Sequence, residues 1–122
     1  AARKAVPRLL RQPGRPEVIA ALSEPLAIGA VAGVRDLGLT FGPELSFVAF
    51  DDFPLAACWT PRLTVVRQDV NALARETVRL LLARLRDPSA PLESVRVPAI
   101  LEWRESVAPV REAIPPKPQN GW

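Results

Sequence analysis

Histidine is missing from this chain of 122 residues, and cysteine occurs once, as Cys58. With no imidazole and a single thiol, there is almost nothing from which to build a zinc or other transition-metal site. The same gap removes the Ser-His-Asp and Cys-His arrangements of nucleophilic catalysis. Most familiar enzyme chemistry is excluded, and no catalytic residue, metal or cofactor is expected. A lone cysteine cannot close an internal disulfide, which suits a reducing, cytoplasmic setting. Cys58 itself reads as a small buried apolar residue with no redox duty. No apolar run approaches the ~20 residues needed to span a bilayer, so no membrane partner is expected. Because the chain opens at Ala1 and not at methionine, the absence of a leader carries no information.

What is present is the balance of a soluble globular domain, with 48% hydrophobic and 24% charged residues. Three tryptophans, four phenylalanines and no tyrosine leave most of the apolar content to leucine, valine, alanine and isoleucine. The length suffices for one domain with a real core and is too short for two ordinary ones. A pI near 10.0 points to nucleic acid until the charges are placed. Arg3, Lys4, Arg8, Arg11 and Arg15 crowd the first fifteen residues, with no acid among them. Setting those five aside from the 16 basic residues leaves 11 against 13 acidic ones, close to neutral. The basic run has no interleaved aromatics on which bases could stack, and it reads as a solvated helix face.

Along the chain, residues 2–12 predict a short helix, with Ala5, Leu9 and Leu10 sharing a face, ended by Pro13-Gly14. Glu17 to Leu22 reads as a buried strand. Ser23 suits an N-cap and Glu24-Pro25 a first turn. The helix that follows should run to about Leu37, with Leu26, Ala30, Val34 and Leu37 inward and Gly38 at its end. Gly29 and Gly33 predict close approach of a neighbouring element. Leu45 to Phe50 is a continuous, mostly apolar run, the pattern of a strand covered by helices on both faces of a parallel sheet. Pro54 to Trp59 suits one helical turn, and Leu63 to Arg67 another strand. Asp69 caps the clearest helix, whose stripe is Val70, Leu73, Ala74, Thr77, Val78, Leu81 and Leu85; Asp87-Pro88 stops it. Val95 to Trp103 predicts an edge or bent strand interrupted by Pro98, and residues 110–122 a flexible tail. The order αβαβ(α)βαβ gives an α/β fold with a largely parallel sheet flanked by helices.

The strand at 45–50 ends on Asp51 and Asp52, and the carboxyl ends of such strands are where open α/β sheets hold small ligands. Neighbouring residues on a strand point to opposite faces, so the two carboxylates do not share one acid/base site. Asp51 can present a carboxylate to a ligand or cap a nearby turn. Asp52 reads as structural, bonded to the backbone of the following turn.

Four blocks, in order, resemble the effector-binding domain of the LacI/GalR family of bacterial transcription regulators. Arg15-Pro-Glu-Val-Ile-Ala resembles the family's RPDAIFA strand. Leu22-Ser-Glu-Pro-Leu-Ala-Ile-Gly-Ala resembles ANDxxALGA. Leu45 to Asp52 together with Thr60 to Gln68 resembles ISVVGFDD…TPPLTTVRQ, and Leu101 to Pro109 resembles LVVRESTAP. The resemblance covers about residues 4–109.

It implies a partial type I periplasmic-binding-protein-like fold. Residues 1–109 are then the C-terminal part of the effector-binding domain, with 1–60 and 95–109 in the carboxyl-side lobe and 63–89 crossing to the amino-side lobe. The partners implied are a small-molecule effector, a sugar or related metabolite, and a second copy of the chain in a homodimer or swapped oligomer. Operator DNA is implied only through a helix-turn-helix head that these residues do not contain. Asp51 is implied as the acceptor for effector hydroxyls. Gln68 is implied near the lobe crossover, where an exposed strand-end role is equally open. Ser23 stands where the family has asparagine and offers one donor where asparagine offers two. Ile28, Cys58 and Trp59 match positions of subunit contact, although an apolar helix face beside a tryptophan also suits a core. Arg104 is implied in a structural ion pair, with Trp103 packed on the sheet. A transport-system sugar receptor and a ligand-free dimerisation module share these features. The helix at 69–86, lacking a sheet of its own to cover it, is expected to drive association.

Overall fold

The structure, a computed structural model, describes residues 1–109, so the tail expected over 110–122 lies outside the described residues. Strands β1 (Val18–Ala21), β2 (Ser46–Phe50), β3 (Thr64–Arg67) and β4 (Ile100–Glu102) form one sheet in that order. The first three run parallel and β4 pairs antiparallel with β3 at the edge. Helices α1 (Ala2–Leu10), α2 (Glu24–Arg35), α3 (Pro54–Cys58) and α4 (Val70–Arg86) complete the expected order. The last strand is shorter than the 95–103 expected. Pro98 lacks an N–H to give to a ladder, and pairing begins only at Ile100.

The core lies on one side of the sheet. Ala21, Phe47, Ala49, Leu63 and Val65 are buried there against Ala27, Ala30, Val31 and Val34 of α2. Helices on both faces, as the apolar run at 45–50 suggested, are not seen among the described residues. In the strand register, Ala20, Val48 and Thr64 share the other face, as do Phe50, Val66 and Leu101. On that face Ala20 and Leu101 are exposed and Val48, Phe50 and Val66 only half-buried. Parallel strands that follow one another in sequence order, joined by crossovers of one hand, put every connecting helix on the same side. Trp103, expected to pack on the sheet, is 68% exposed instead.

Helix α1 lies on α2, and glycine makes the approach possible. A Cβ on Gly33 would sit 2.9 Å from the Arg3 carbonyl oxygen, and one on Gly29 2.9 Å from the Ala2 Cβ. That geometry turns Val6 and Leu10 inward, where the sequence pattern gave Ala5, Leu9 and Leu10; Ala5 and Leu9 are exposed. On α2 the inward set is Ala27, Ala30, Val31, Gly33 and Val34, while Leu26 faces solvent and Leu37 is half-buried. Gly38 adopts φ +68°, and Leu39 N–H donates to Val34 and Gly38 N–H to Arg35, the Schellman ending of a helix. Arg3 closes the helix pair with two hydrogen bonds to Asp36, at 2.8 and 3.0 Å. Lys4, Arg8, Arg11 and Arg15 are exposed, the solvated face expected of them.

After β4 the chain leaves the outer edge of β3 and returns to β2, where Ser106 is fully buried. Its N–H donates to Arg62 and its carbonyl accepts from Phe47 N–H. Its hydroxyl donates to the Phe47 carbonyl at 2.6 Å and accepts from Thr64 N–H at 2.8 Å. Every polar group of this residue is spent joining β2 to β3. Thr64 Oγ1 accepts from Arg104 N–H and donates to the Arg104 carbonyl. Glu105 takes the Arg62 backbone N–H and guanidinium.

Asp69 caps α4 as expected, its Oδ1 accepting from Ala72 N–H at 2.9 Å. The helix ends before Asp87-Pro88, and none of its residues is buried. The expected stripe, including Val78, Leu81 and Leu85, has no covering layer among the described residues. Arg79 instead binds Glu76 and Glu93, and Arg84 the carbonyls of Pro88 and Ala90, so the segment after α4 is tied to α4 itself.

Replacing Ser106 by alanine removes both hydroxyl bonds and strands the buried Thr64 N–H and Phe47 carbonyl. Ser106→Ala is expected to lower stability in urea by about 1–3 kcal/mol, with an unchanged denaturant slope; a loss under ~0.5 kcal/mol would contradict the role given to the hydroxyl.

Candidate functional site

Ala21 pairs with Ala49 and Phe50 with Val66, so β1, β2 and β3 end almost level. Ser23, Asp51 and Gln68 are the first or second residues beyond those ends. Parallel pairing thus brings the three sequence-predicted ligand residues to one rim of the sheet. Asp51 is half-buried and holds φ +67°, a left-handed conformation uncommon outside glycine, asparagine and aspartate. Its N–H donates to the Val66 carbonyl at 2.9 Å, fixing the turn to β3. Gln68 Nε2 donates to Asp51 Oδ1 at 2.9 Å. Ser23 occupies the N-cap position of α2 without a side-chain capping bond, and its carbonyl accepts from Ala27 N–H.

Asp52 turns the other way. Both its oxygens accept from Arg104, at 3.0 and 2.8 Å, where the sequence pointed to the backbone of the next turn. The ion pair expected of Arg104 is therefore made with Asp52. The Arg104 side chain is only 11% exposed, and one of its nitrogens also reaches the Leu63 carbonyl. The hydrogen bond to Asp52 raises this guanidinium above its ordinary value, against an opposing effect of burial. Hydrogen bonding to Arg62 likewise holds the Glu105 carboxyl below its ordinary range. Asp51 lies one residue past β2 in a left-handed turn, so that turn, and not strand alternation, sends the two carboxylates apart.

A rim of one carboxylate, one carboxamide and one hydroxyl can accept from and donate to a neutral, hydroxyl-rich molecule. It pairs no acid with a base. The strands run in sequence order with no reversal, so within 1–109 the rim is a shelf and not a crevice. Grooves of about 440 and 340 Å³ run along α2 instead, and neither includes Ser23, Asp51 or Gln68. The larger one brings together Ile28, Leu55 and Trp59. Ile28 is 42% exposed and Trp59 half-buried. Cys58, expected to be buried, is exposed: in a helix of five residues Ala56 alone turns fully to the core.

Sequence reasoning gave no role to Ser106, Glu105 or Arg62, although all three stand inside the quoted blocks. The available signal was a small polar residue, Ser106, followed by Val107 and Ala108 in a segment with no turn glycine.

A family profile described as the periplasmic binding protein-like domain matches residues 1–107. The chain belongs to this family. Its relatives are regulators. MalR of Streptomyces coelicolor, an HTH-type transcriptional regulator, is 42% identical over 69 residues, 57% of this chain and 20% of that protein. A probable opine utilization operon repressor of Rhizobium rhizogenes is 34% identical over 97 residues, 79% of this chain and 49% of that one. Among solved structures, a LacI family regulator of Enterococcus faecium with bound ribose matches at a TM-score of 0.76 and 26% identity, covering 90% of this chain and 40% of that one. A regulatory protein of the LacI family from Chloroflexus aggregans matches at 0.76 and 31%, covering 87% and 38%. This is the LacI type of the periplasmic-binding-protein-like fold, as the four sequence blocks implied. The chain spans between a fifth and a half of the length of the relatives it matches.

Proposed function

We propose that these residues form the effector-binding and dimerising part of a LacI-type transcription regulator that works in the cytoplasm and has no enzymatic activity. The observation that carries this is the Asp51 carboxylate, fixed at the end of β2 and flanked by Ser23 and Gln68 at the ends of β1 and β3. Asp51 accepts from ligand hydroxyls, Gln68 and Ser23 complete the polar rim, and the effector is a sugar or a related hydroxylated metabolite. Two solved relatives were crystallised with ribose, which supports that class. Residues 1–60 and 95–109 form the carboxyl-side lobe, and 63–89 carry the chain toward the other lobe. The departure of α4 from the core and the return of 100–108 onto β2 and β3 support a crossing that begins after Arg67, since β3 pairs with β2, and Leu63 and Val65 lie buried in the first core. Effector can act only by binding two lobe arrangements with different affinity. Operator DNA is contacted by a head domain outside these residues.

The groove along α2 is the homodimer face, with Ile28 and Trp59 as anchors and Cys58 at its margin. Aromatic anchors in partly formed grooves concentrate binding energy.

In a thermal-shift scan of sugars, a ligand at ~100 times its Kd is expected to stabilise the chain by about 2.7 kcal/mol, and Asp51→Asn to abolish the shift. A shift that persists in the variant would overturn the role of Asp51. In sedimentation, Ile28→Glu and Trp59→Glu are each expected to turn dimer into monomer; an oligomer surviving both would move association to the exposed stripe of α4.

A further inference from the structure

One stripe of α2 carries Glu24, Ile28 and Arg35, all three exposed. Eleven residues are about three turns and ~16 Å of helix, so the acid and the base sit at the two ends of the stripe with the isoleucine between. Ile28 and Arg35 both line the groove beside α3. Neither charged side chain makes a hydrogen bond or an ion pair among the described residues. The neighbouring Asp36 cannot satisfy Arg35, because both its oxygens already accept from Arg3. Every other described carboxylate except Glu17 also accepts a hydrogen bond. Glu17 lies before β1, on a different groove. Glu24 is thus the acid on this face that is open to a cation, and Arg35 the cation in the groove that is open to an acid.

We infer that Glu24 and Arg35 set the orientation in which two copies of this chain meet: the two α2 helices lie antiparallel, with Glu24 of each copy on Arg35 of the other. The inference rests on the proposed homodimer face and adds its register. A twofold interface uses the same patch on both copies, so one unpaired acid and one unpaired base at opposite ends of a helix answer each other twice. The register that joins 24 to 35 also sets Ile28 opposite Val31, an apolar centre between two ion pairs. A parallel arrangement puts Glu24 on Glu24 and Arg35 on Arg35, and like charges facing one another reject it. Exposed pairs of this kind add little affinity and act mainly on register and choice of partner. A copy with both charges exchanged is therefore a poor partner for the parent.

The test is a charge exchange on the 122-residue chain, followed by sedimentation velocity at low salt. Glu24→Arg and Arg35→Glu each turn two attractive pairs into two repulsive ones, and each is expected to weaken self-association about tenfold. An equimolar mixture of the two variants should recover parental association, since both pairs in the mixed dimer are again of opposite sign. The double variant Glu24→Arg, Arg35→Glu should associate with itself and not with fluorescently labelled parent. These differences should fade near 1 M salt, where the screening length falls to about 3 Å. Far-UV dichroism checks the fold of each variant, and a folding defect is not repaired by mixing. Single variants that associate as the parent does would overturn the register, as would a double variant that mixes freely with the parent. In either case loss of the dimer in Ile28→Glu would leave the face itself standing. A parent that stays monomeric at the highest concentration would overturn the dimer reading and the register with it.

Discussion

One buried hydroxyl holds the body of this domain together. Ser106 stands between the amino ends of β2 and β3 and bonds to both through its backbone and its side chain. Without it, β2 and β3 would lose the bridge beside their three register pairs, and the closing segment would be held only at its flanks, by Arg104 on Thr64 and Ala108 on Ser46. Its neighbours extend the clasp: Arg104 reaches Asp52 and Glu105 reaches Arg62. Because Asp52 follows Asp51 directly, the same clasp that closes the sheet fixes the backbone from which the proposed ligand carboxylate, Asp51, projects. The exposed Arg62–Glu105 pair contributes modestly in solvent, while the Arg104 guanidinium and the serine bonds are shielded from water.

That arrangement explains which parts of the fold could be read from the residues alone. Helices and strands with strong local signals, such as the Asp69-capped α4 and the apolar run of β2, fall where periodicity places them. The inward faces of α1 and α2 do so only in part: Leu10, Ala30 and Val34 turn inward as periodicity places them, but the close approach at Gly29 and Gly33 buries Val6 instead of Ala5 and Leu9, and Ala27 and Gly33 instead of Leu26. Cys58 and Trp103 were assigned to the interior by residue type. Their exposure follows from tertiary facts, namely a helix of a single turn and a sheet with one helix layer. The rim was legible because parallel strands of similar length end level. The partner of Asp52 and the duty of Ser106 were not, since both depend on contacts across more than 50 residues.

The two proposed roles fall on separate surfaces, the rim and the groove. On one side a shelf of Ser23, Asp51 and Gln68 offers acceptors and donors without a facing wall. Along α2 lies a groove that sets Ile28, Leu55 and Trp59 beside the charged Arg3, Arg35 and Asp36, the face proposed for a second copy. Between them, α4 leaves the body from the residue next to Gln68 and its capping partner.

Chemical-shift mapping of a ribose titration on the uniformly ¹⁵N-labelled chain bears most directly on this account. It predicts that the largest amide perturbations fall at Ser23, Asp51 and Gln68 and in the residues beside them. Perturbations confined to the groove of Ile28 and Trp59 would contradict the placement of the site, and a spectrum unmoved at saturating sugar would contradict the ligand class.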